Sequence, residues 1–510
     1  SFLSSGSKCP VISRTGAPAP SGFSCPKAIR VLGGYIGPDA ECQSALMALL
    51  KRQETFFRRL DIVDTDAAGA ILNMAGVPRA SFIARTHHPT ISLPYLRAFD
   101  ASVVRAWCAL ADVESPSERT RMLAHMPTAL GGCGFTSHEL TAANAFNASF
   151  EAAMGTSFVD QRSRSLASNV AIQKKLCTDP AMAAHIRETS KKGTATWLHH
   201  PDAGKHFGEA AYGAALRHRL RTGHKCLPAS SHCPGCHASC TSDEFSAHVA
   251  GCARIHGFNV SARHAATKRA LDDIFRKAAV PSDGAEPREF GGHCCPGCGA
   301  TIKEDVAAHI SSCKAITVAQ RAHGVPSARR IGPDGRCYLG GPPVVFDVTV
   351  VSPTAPSYIT RAPDTAMSLR KKEKTALYGA AVAAQGEEFV VFGATAFGSL
   401  TAESIKLLGR VAAHAPGKVT RHELMGSMAT YIALSSGQVI AAAERRVGCV
   451  LRNKRPPDRP DAPAAAADPG APAAAADPDS ALLSIATVTQ TLQTTSGRAT
   501  DASENGDAAQ

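Results

Sequence analysis

Two short stretches of this chain carry the same cysteines and histidine in the same order, and they constrain the fold more than anything else in it. The first, CPGCHASCTSDEFSAHVAGC, begins at Cys233, and the second, CPGCGATIKEDVAAHISSC, begins at Cys295. Each reads Cys-x2-Cys and then His-x3-Cys. The first set is Cys233, Cys236, His248 and Cys252; the second is Cys295, Cys298, His309 and Cys313, with eleven and ten residues between the halves. A Cys-x2-Cys turn puts two thiolates on one side of a zinc ion, and a His-x3-Cys pair one helical turn apart supplies the other two ligands. Pro-Gly inside each Cys-x2-Cys favours the tight turn that aims both sulfurs at one point. Closed four-ligand sites are structural, so two zinc ions are expected to fold two small modules and to take no part in chemistry. The alternative is a set of unrelated buried cysteines and histidines. Two copies with one ligand order and near-identical spacing argue against it. Cys226, His232, Cys240, His256 and Cys294 are neighbours in sequence that could substitute as ligands.

The number of cysteines supports metal over disulfides. There are 17, an odd count, in a chain of 510 residues whose first thirty lack the basic-then-apolar pattern of a signal peptide. A reducing compartment follows, where paired cysteines are metal ligands or core residues. No run of about 18 uncharged apolar residues is present, so no membrane partner is expected. The formal net charge is +12, although residues 455–510 hold three Arg against eight Asp and Glu, so the body before them is more basic still. A basic body points to a polyanion, nucleic acid first. Arg217, Arg219, Arg221 and Lys225 precede the first Cys/His unit, and Arg254, Arg263, Lys268 and Arg269 follow it, which favours the same partner.

The fold class expected is multidomain, α and α+β. Residues 1–28 are rich in Pro, Gly and Ser and read as an irregular lead-in. Residues 29–216 are mainly helical in pattern, as in ALMALLKRQETFFRRLDIV, YLRAFDASVVRAWCALADV and TAANAFNASFEAAM. The zinc modules are set at 226–256 and 291–315, with a linking helix, ARHAATKRALDDIFRKAAV, at 257–290. Residues 325–450 change character: PPVVFDVTVVSP and EEFVVFGATAF read as strands around the helix LRKKEKTALYGAAVAAQ, a strand–helix–strand unit of a small α/β domain. Two more helices finish it. Residues 453–510, with APAAAADP twice, are expected to be disordered. Because the chain opens with Ser1, it is expected to be the tail of a longer reading frame.

One residue of the α/β part is out of place in an apolar strand. Asp347 sits inside Val-Val-Phe-x-Val-Thr-Val, where a charge is costly to bury unless paired or bound to a cation. Asp334 lies in the preceding turn, and Lys371, Lys372 and Lys374 come on the next helix. Two carboxylates can hold Mg²⁺, and a nearby lysine can orient the attacking water and stabilise a pentavalent phosphate, the set a phosphodiesterase needs. The bland alternative is a local salt bridge for Asp347 and a solvated face for the lysines. Asp272 and Asp273, at helical spacing, read as a solvated helix face.

The order of these segments resembles the C-terminal part of non-LTR retrotransposon reverse transcriptase polyproteins. VLGGYIG at 31–37 resembles the segment that closes the palm; FIARTHHP, LRAFD, MPTALGGCGF and TAANAFNASF resemble the thumb and post-thumb region. The first Cys/His unit, ARHAATKRAL, the PD turn, FDVTVVSP and the Lys-rich helix with Tyr378 resemble the zinc knuckle and restriction-like endonuclease of site-specific, trypanosomatid-type elements. The likeness covers roughly residues 29–450. It implies Asp334 and Asp347 as Mg²⁺ ligands, Lys374 as the displaced catalytic lysine with Lys372 in reserve, and Tyr378 as the tyrosine that follows it. It also implies a metal-dependent DNA endonuclease that nicks a chromosomal target in the nucleus and primes reverse transcription of element RNA. No Tyr/Phe-x-Asp-Asp is present, so the fingers and palm are expected upstream and this chain is not expected to polymerise DNA. Three features depart from the pattern. Val-Thr follows Asp347 in place of x-Lys, Gly335 stands where an apolar strand residue is expected, and the second Cys/His unit interrupts a connection expected to be short. A catalytically dead nucleic-acid-binding remnant is the alternative function, and a zinc-dependent protein scaffold a third.

Overall fold

The computed structural model describes residues 28–156, 160–199, 208–252, 254–255, 260–283, 287, 290, 292–294, 301–302, 306–313, 329–359, 361–362, 364–415 and 417–449. These belong to the first of two units, Ser1–Lys454; the second, Arg455–Gln510, with most of the 453–510 tail, lies outside them. The described chain is mostly helical, with small sheets and one Cys/His cluster.

VLGGYIG forms a hairpin, β1 (Ile29–Val31) and β2 (Gly34–Ile36), turned by Leu32 and Gly33, both at positive φ. Helices then follow where apolar residues recur at helical spacing: α1 (Asp39–Arg59), α2 (Pro89–Ala111), α3 (His138–Met154), α4 (Pro180–Thr189) and α5 (Glu209–Leu220). Their starts are written in the sequence. Pro89 and Pro180 occupy first-turn positions where no N–H is needed, and the Ser137 and Asp179 side chains cap α3 and α4. Their apolar faces meet in one core that includes Leu46, Phe99, Trp107, Phe135 and Leu216.

Next comes a knuckle hairpin, β3 (Ser230–His232) and β4 (Ser239–Thr241), then α6 (Ser242–Gly251) and α7 (Val260–Lys277). The α/β part is a four-stranded sheet in the order β8–β7–β6–β5, from β5 (Ser282–Asp283), β6 (Gly335–Cys337), β7 (Val344–Val351) and β8 (Glu388–Thr395). β7 and β8 run parallel in register from Val344↔Glu388 to Val351↔Thr395, with α8 (Thr365–Lys374) in the crossover, as the strand–helix–strand pattern predicts. β6 pairs antiparallel with both β7 and β5. The second Cys/His unit is therefore an excursion between two neighbouring strands of one sheet. Helix α7, set as a linker by its place between the two units, packs on this sheet. Its Leu271, Ile274 and Phe275 share a core with Phe346, Val348 and Phe392.

Two helices end the described part, α9 (Ala402–His414) and α10 (Arg421–Arg446). α10 begins with a capping box from Thr420 and Glu423 and at 26 residues spans about 39 Å. Along it, Leu424, Met428 and Ile432 enter the α/β core, Ala433 and Leu434 the helical core, and Val439, Ile440 and Ala443 the core beneath the knuckle. Three segments that look separate in sequence are stapled by one helix. Gly437 lets α10 approach α5: a Cβ there would stand 2.1 Å from the Ala211 carbonyl oxygen. Near that crossing Arg217 donates through Nε to Glu444 Oε1 at 3.0 Å and through Nη2 to Glu444 Oε2, with both side chains buried.

Candidate metal centre and active site

The first Cys/His unit assembles as its spacing predicts. Cys233 and Cys236 lie in the turn joining β3 to β4, His248 sits on α6, and Cys252 follows that helix directly. A second capping box, Thr241 with Glu244, fixes where α6 starts and so which way His248 points. The four ligand atoms all lie within 4.8 Å of one another. Cys233 Sγ is 3.7 Å from Cys252 Sγ, close to the ~3.8 Å edge of a tetrahedron with zinc–sulfur bonds of about 2.3 Å. Cys236 Sγ and His248 Nε2 are 3.2 Å apart, and the Gly235 N–H donates to Cys233 Sγ at 3.4 Å. The residues fit a closed zinc site. Cys226 and His232 are exposed and Cys240 faces the core under the knuckle, so these three stand outside the cluster. In the second unit, His309 lies on the helix Val306–Ser312 and Cys313 is buried just after it. Cys295 and Cys298 lie outside the described residues, as does His256, a spare ligand by sequence.

The carboxylates come together at the sheet. Asp347 is in the middle of β7 and Asp334 immediately precedes β6; both are buried. Asp334 straddles its neighbour: its N–H donates to the Phe346 carbonyl at 2.9 Å, and its Oδ2 accepts the Val348 N–H at 2.6 Å. The odd Gly335 has a plain cause. A Cβ there would stand 2.6 Å from the Phe346 ring, so the phenylalanine of the adjacent strand already fills that space.

Lys374, near the end of α8, places Nζ 2.8 Å from Asp347 Oδ2. The contact is an ion pair, and Lys374 is the one cation paired with Asp347 among the described residues. Burial pushes the Asp347 carboxyl up to about 6; Lys374 pulls the other way, and Asp334 adds to the rise. Two buried carboxylates lie close together, and one ammonium, that of Lys374, pairs with Asp347. The oxygen donors of two adjacent carboxylates fit a hard divalent cation such as Mg²⁺.

The other residues singled out by sequence lie around this centre. Lys372 is exposed and makes no ion pair among the described residues, because two positions along a helix point to different sides. Lys371, one turn back, pairs with Glu403. Tyr378 is buried in a small cluster with Val345 and Val382, its ring 5.9 Å from Lys374 Nζ. A single π turn, Thr375–Gly379, joins the two residues, a local widening common at functional sites. Asp272 is half-buried, with its Oδ1 buried and without a hydrogen bond among the described residues, while Asp273 pairs with Arg276; only the latter fits a solvated helix face.

One residue of the site was not picked out by sequence reasoning. His264 of α7 places Nε2 2.8 Å from Asp334 Oδ2. Its one signal was membership of ARHAATKRAL, since a lone histidine on an amphipathic helix carries no spacing cue.

The basic flanks need correction. Arg217 and Arg219 are buried, the first against Glu444 and the second with its guanidinium donating to the carbonyls of Gly132, Thr189 and Thr194. Arg263 is buried too, and Lys225 lies 3.4 Å from Asp112. The three buried arginines are core residues and are not displayed to a polyanion, whereas Lys225, Arg254 and Arg269 are exposed. No helix of the described residues is long and apolar enough to cross a membrane. No family model and no curated protein matches the chain.

Proposed function

We propose that this chain is the C-terminal part of a non-LTR retrotransposon polyprotein, and that it carries a Mg²⁺-dependent DNA endonuclease nicking the chromosomal target in the nucleus for target-primed reverse transcription. The observation that carries this reading is the convergence of Asp334, Asp347 and Lys374, from a turn, a strand and a helix, beside the inner strand β7. The two aspartates would hold the cation. When bound, Mg²⁺ supplies a Lewis acid at the scissile phosphate and offsets the charge that develops there. Lys374, 30% exposed at the same carboxylate, would orient the attacking water and stabilise negative charge on the phosphate. Lys372 faces away, so the catalytic lysine in this reading is Lys374.

Zinc has a structural part in the proposal. The first cluster folds the knuckle against α10, and the second unit, with His309 and Cys313, holds another ion within the excursion between β5 and β6. Target DNA and element RNA are the partners, bound through phosphate contacts that weaken with salt.

The test is nicking of supercoiled plasmid by the zinc-loaded chain with Mg²⁺, with and without EDTA, beside Asp347→Ala. Nicking that needs Mg²⁺ and disappears in the variant supports the reading. A folded, zinc-loaded chain that binds DNA in a salt-sensitive way but never nicks would be a binding remnant. A chain that binds neither DNA nor RNA would be a protein scaffold.

A further inference from the structure

The carboxylate pair is supported from a direction the catalytic set does not require. His264 comes from α7, seventy positions before Asp334 in sequence, and its ring is 34% exposed while the aspartate side chain is 5% exposed. Two hydrogen bonds converge on a single oxygen of Asp334. Val348 N–H reaches Oδ2 at 2.6 Å from the strand, and His264 Nε2 reaches it at 2.8 Å from the helix. A carboxylate accepts, so Nε2 carries the hydrogen. The backbone N–H of Asp334 is tied to the Phe346 carbonyl as well. With one oxygen and the main chain fixed, Oδ1 is the ligand atom left to a cation. Elsewhere the face of α7 is committed to packing: Ala266, Ala270, Leu271 and Ile274 are buried against the sheet and α10. Packing therefore anchors the helix immediately after the point where it presents His264.

We infer that His264 is a positioning residue for the metal centre: its Nε2–H fixes Oδ2 of Asp334 and so orients the carboxylate that shares the cation with Asp347. The inference rests on the metal-dependent reading of this site. Groups that orient a ligating carboxylate are worth about ten- to a hundredfold in metal affinity. The donor is what matters, so a glutamine, which can present an N–H at similar reach, should do much of the same work.

The test is Mn²⁺ binding to the zinc-loaded full chain, followed by the electron paramagnetic resonance signal of free Mn²⁺. The parent, Asp347→Asn, His264→Ala and His264→Gln are compared, and near-UV circular dichroism checks each fold. The parent should bind one ion that Asp347→Asn loses. His264→Ala should weaken binding about tenfold or more, and His264→Gln should recover most of that. If the parent binds no more Mn²⁺ than Asp347→Asn, the metal-dependent reading falls and this inference falls with it. If the parent binds and His264→Ala binds as tightly, the inference alone is overturned. Equal loss in natively folded Ala and Gln variants also overturns it, since the donor would not then explain the effect.

Discussion

Lys374 and Asp347 form an ion pair in which the two members differ sharply in exposure: Nζ stands 2.8 Å from Oδ2, the lysine side chain is 30% exposed and the aspartate 2%. The pair crosses from a helix to the strand that its crossover connects, and neither residue can reach the other without that turn of chain. An exposed cation at a buried carboxylate can serve both that carboxylate and a ligand arriving from solvent.

The two lysines of this helix should separate cleanly. Lys374→Ala should lower plasmid nicking by about a hundredfold or more, as loss of a group that stabilises developing charge does. Lys372→Ala should stay within about twofold, because its side chain leaves the helix on another side. Initial nicking rates at saturating Mg²⁺ decide it, and similar losses in both would reject the assignment.

Stability without divalent cations should depend on pH through Asp347. Its folded-state value, about 6, lies above the ordinary 3.8, so the native state holds this proton more tightly than the unfolded chain. That contribution is complete below the ordinary value and is lost as pH rises through about 6, a fall of at most about 3 kcal/mol. Urea unfolding of the parent and of Asp347→Asn from pH 4 to 7 reads it. The parent should lose stability relative to the variant over that window, and a constant difference would refute it.

Zinc removal should unfold more than the knuckle. Val439, Ile440 and Ala443 of α10 pack on Phe245 and Val249 beneath the cluster, so stripping the ion loosens the end of that helix too. Cys252→Ser should lower zinc content by one ion per chain, measured by atomic absorption, and reduce the thermal midpoint. Unchanged zinc content would exclude Cys252 as a ligand.

The buried Arg217–Glu444 pair should be costly to break and cheap to replace. Arg217→Met leaves a buried carboxylate without its partner and should cost about 3–5 kcal/mol in urea unfolding. Adding Glu444→Leu should recover much of it, because two apolar groups leave no charge stranded. A double variant no better than the single would show that the Arg217 bond to the Ala111 carbonyl, not the ion pair, carries the effect.

Local order carried much of this chain in plain view. The spacing Cys233-x2-Cys236 and His248-x3-Cys252 marked its cluster, because one turn pairs the first two ligands and one helical step the second two. Val344–Val351 and Glu388–Thr395 were legible as strands, and the charge in the first marked Asp347 as the residue to explain. Helix starts followed from Pro89, Pro180 and the Thr420–Glu423 box.

Long-range relations were not legible in this way. Arg217 and Arg219 read as a basic flank and are core residues, because their partners, Glu444 and the Gly132 carbonyl, are far away in sequence. Gly335 looked like a defect until Phe346 was seen to occupy its space. His264 had no pattern of its own and gained a role only when α7 was laid beside the PD turn. Sequence alone determined which residues could make a metal knuckle and which strand carried a misplaced charge, since both depend on short-range geometry and side-chain chemistry. Only tertiary structure decided which lysine faces that charge, which histidine braces its neighbour and which arginines never meet solvent, since those depend on contacts between segments that the order of residues does not bring together.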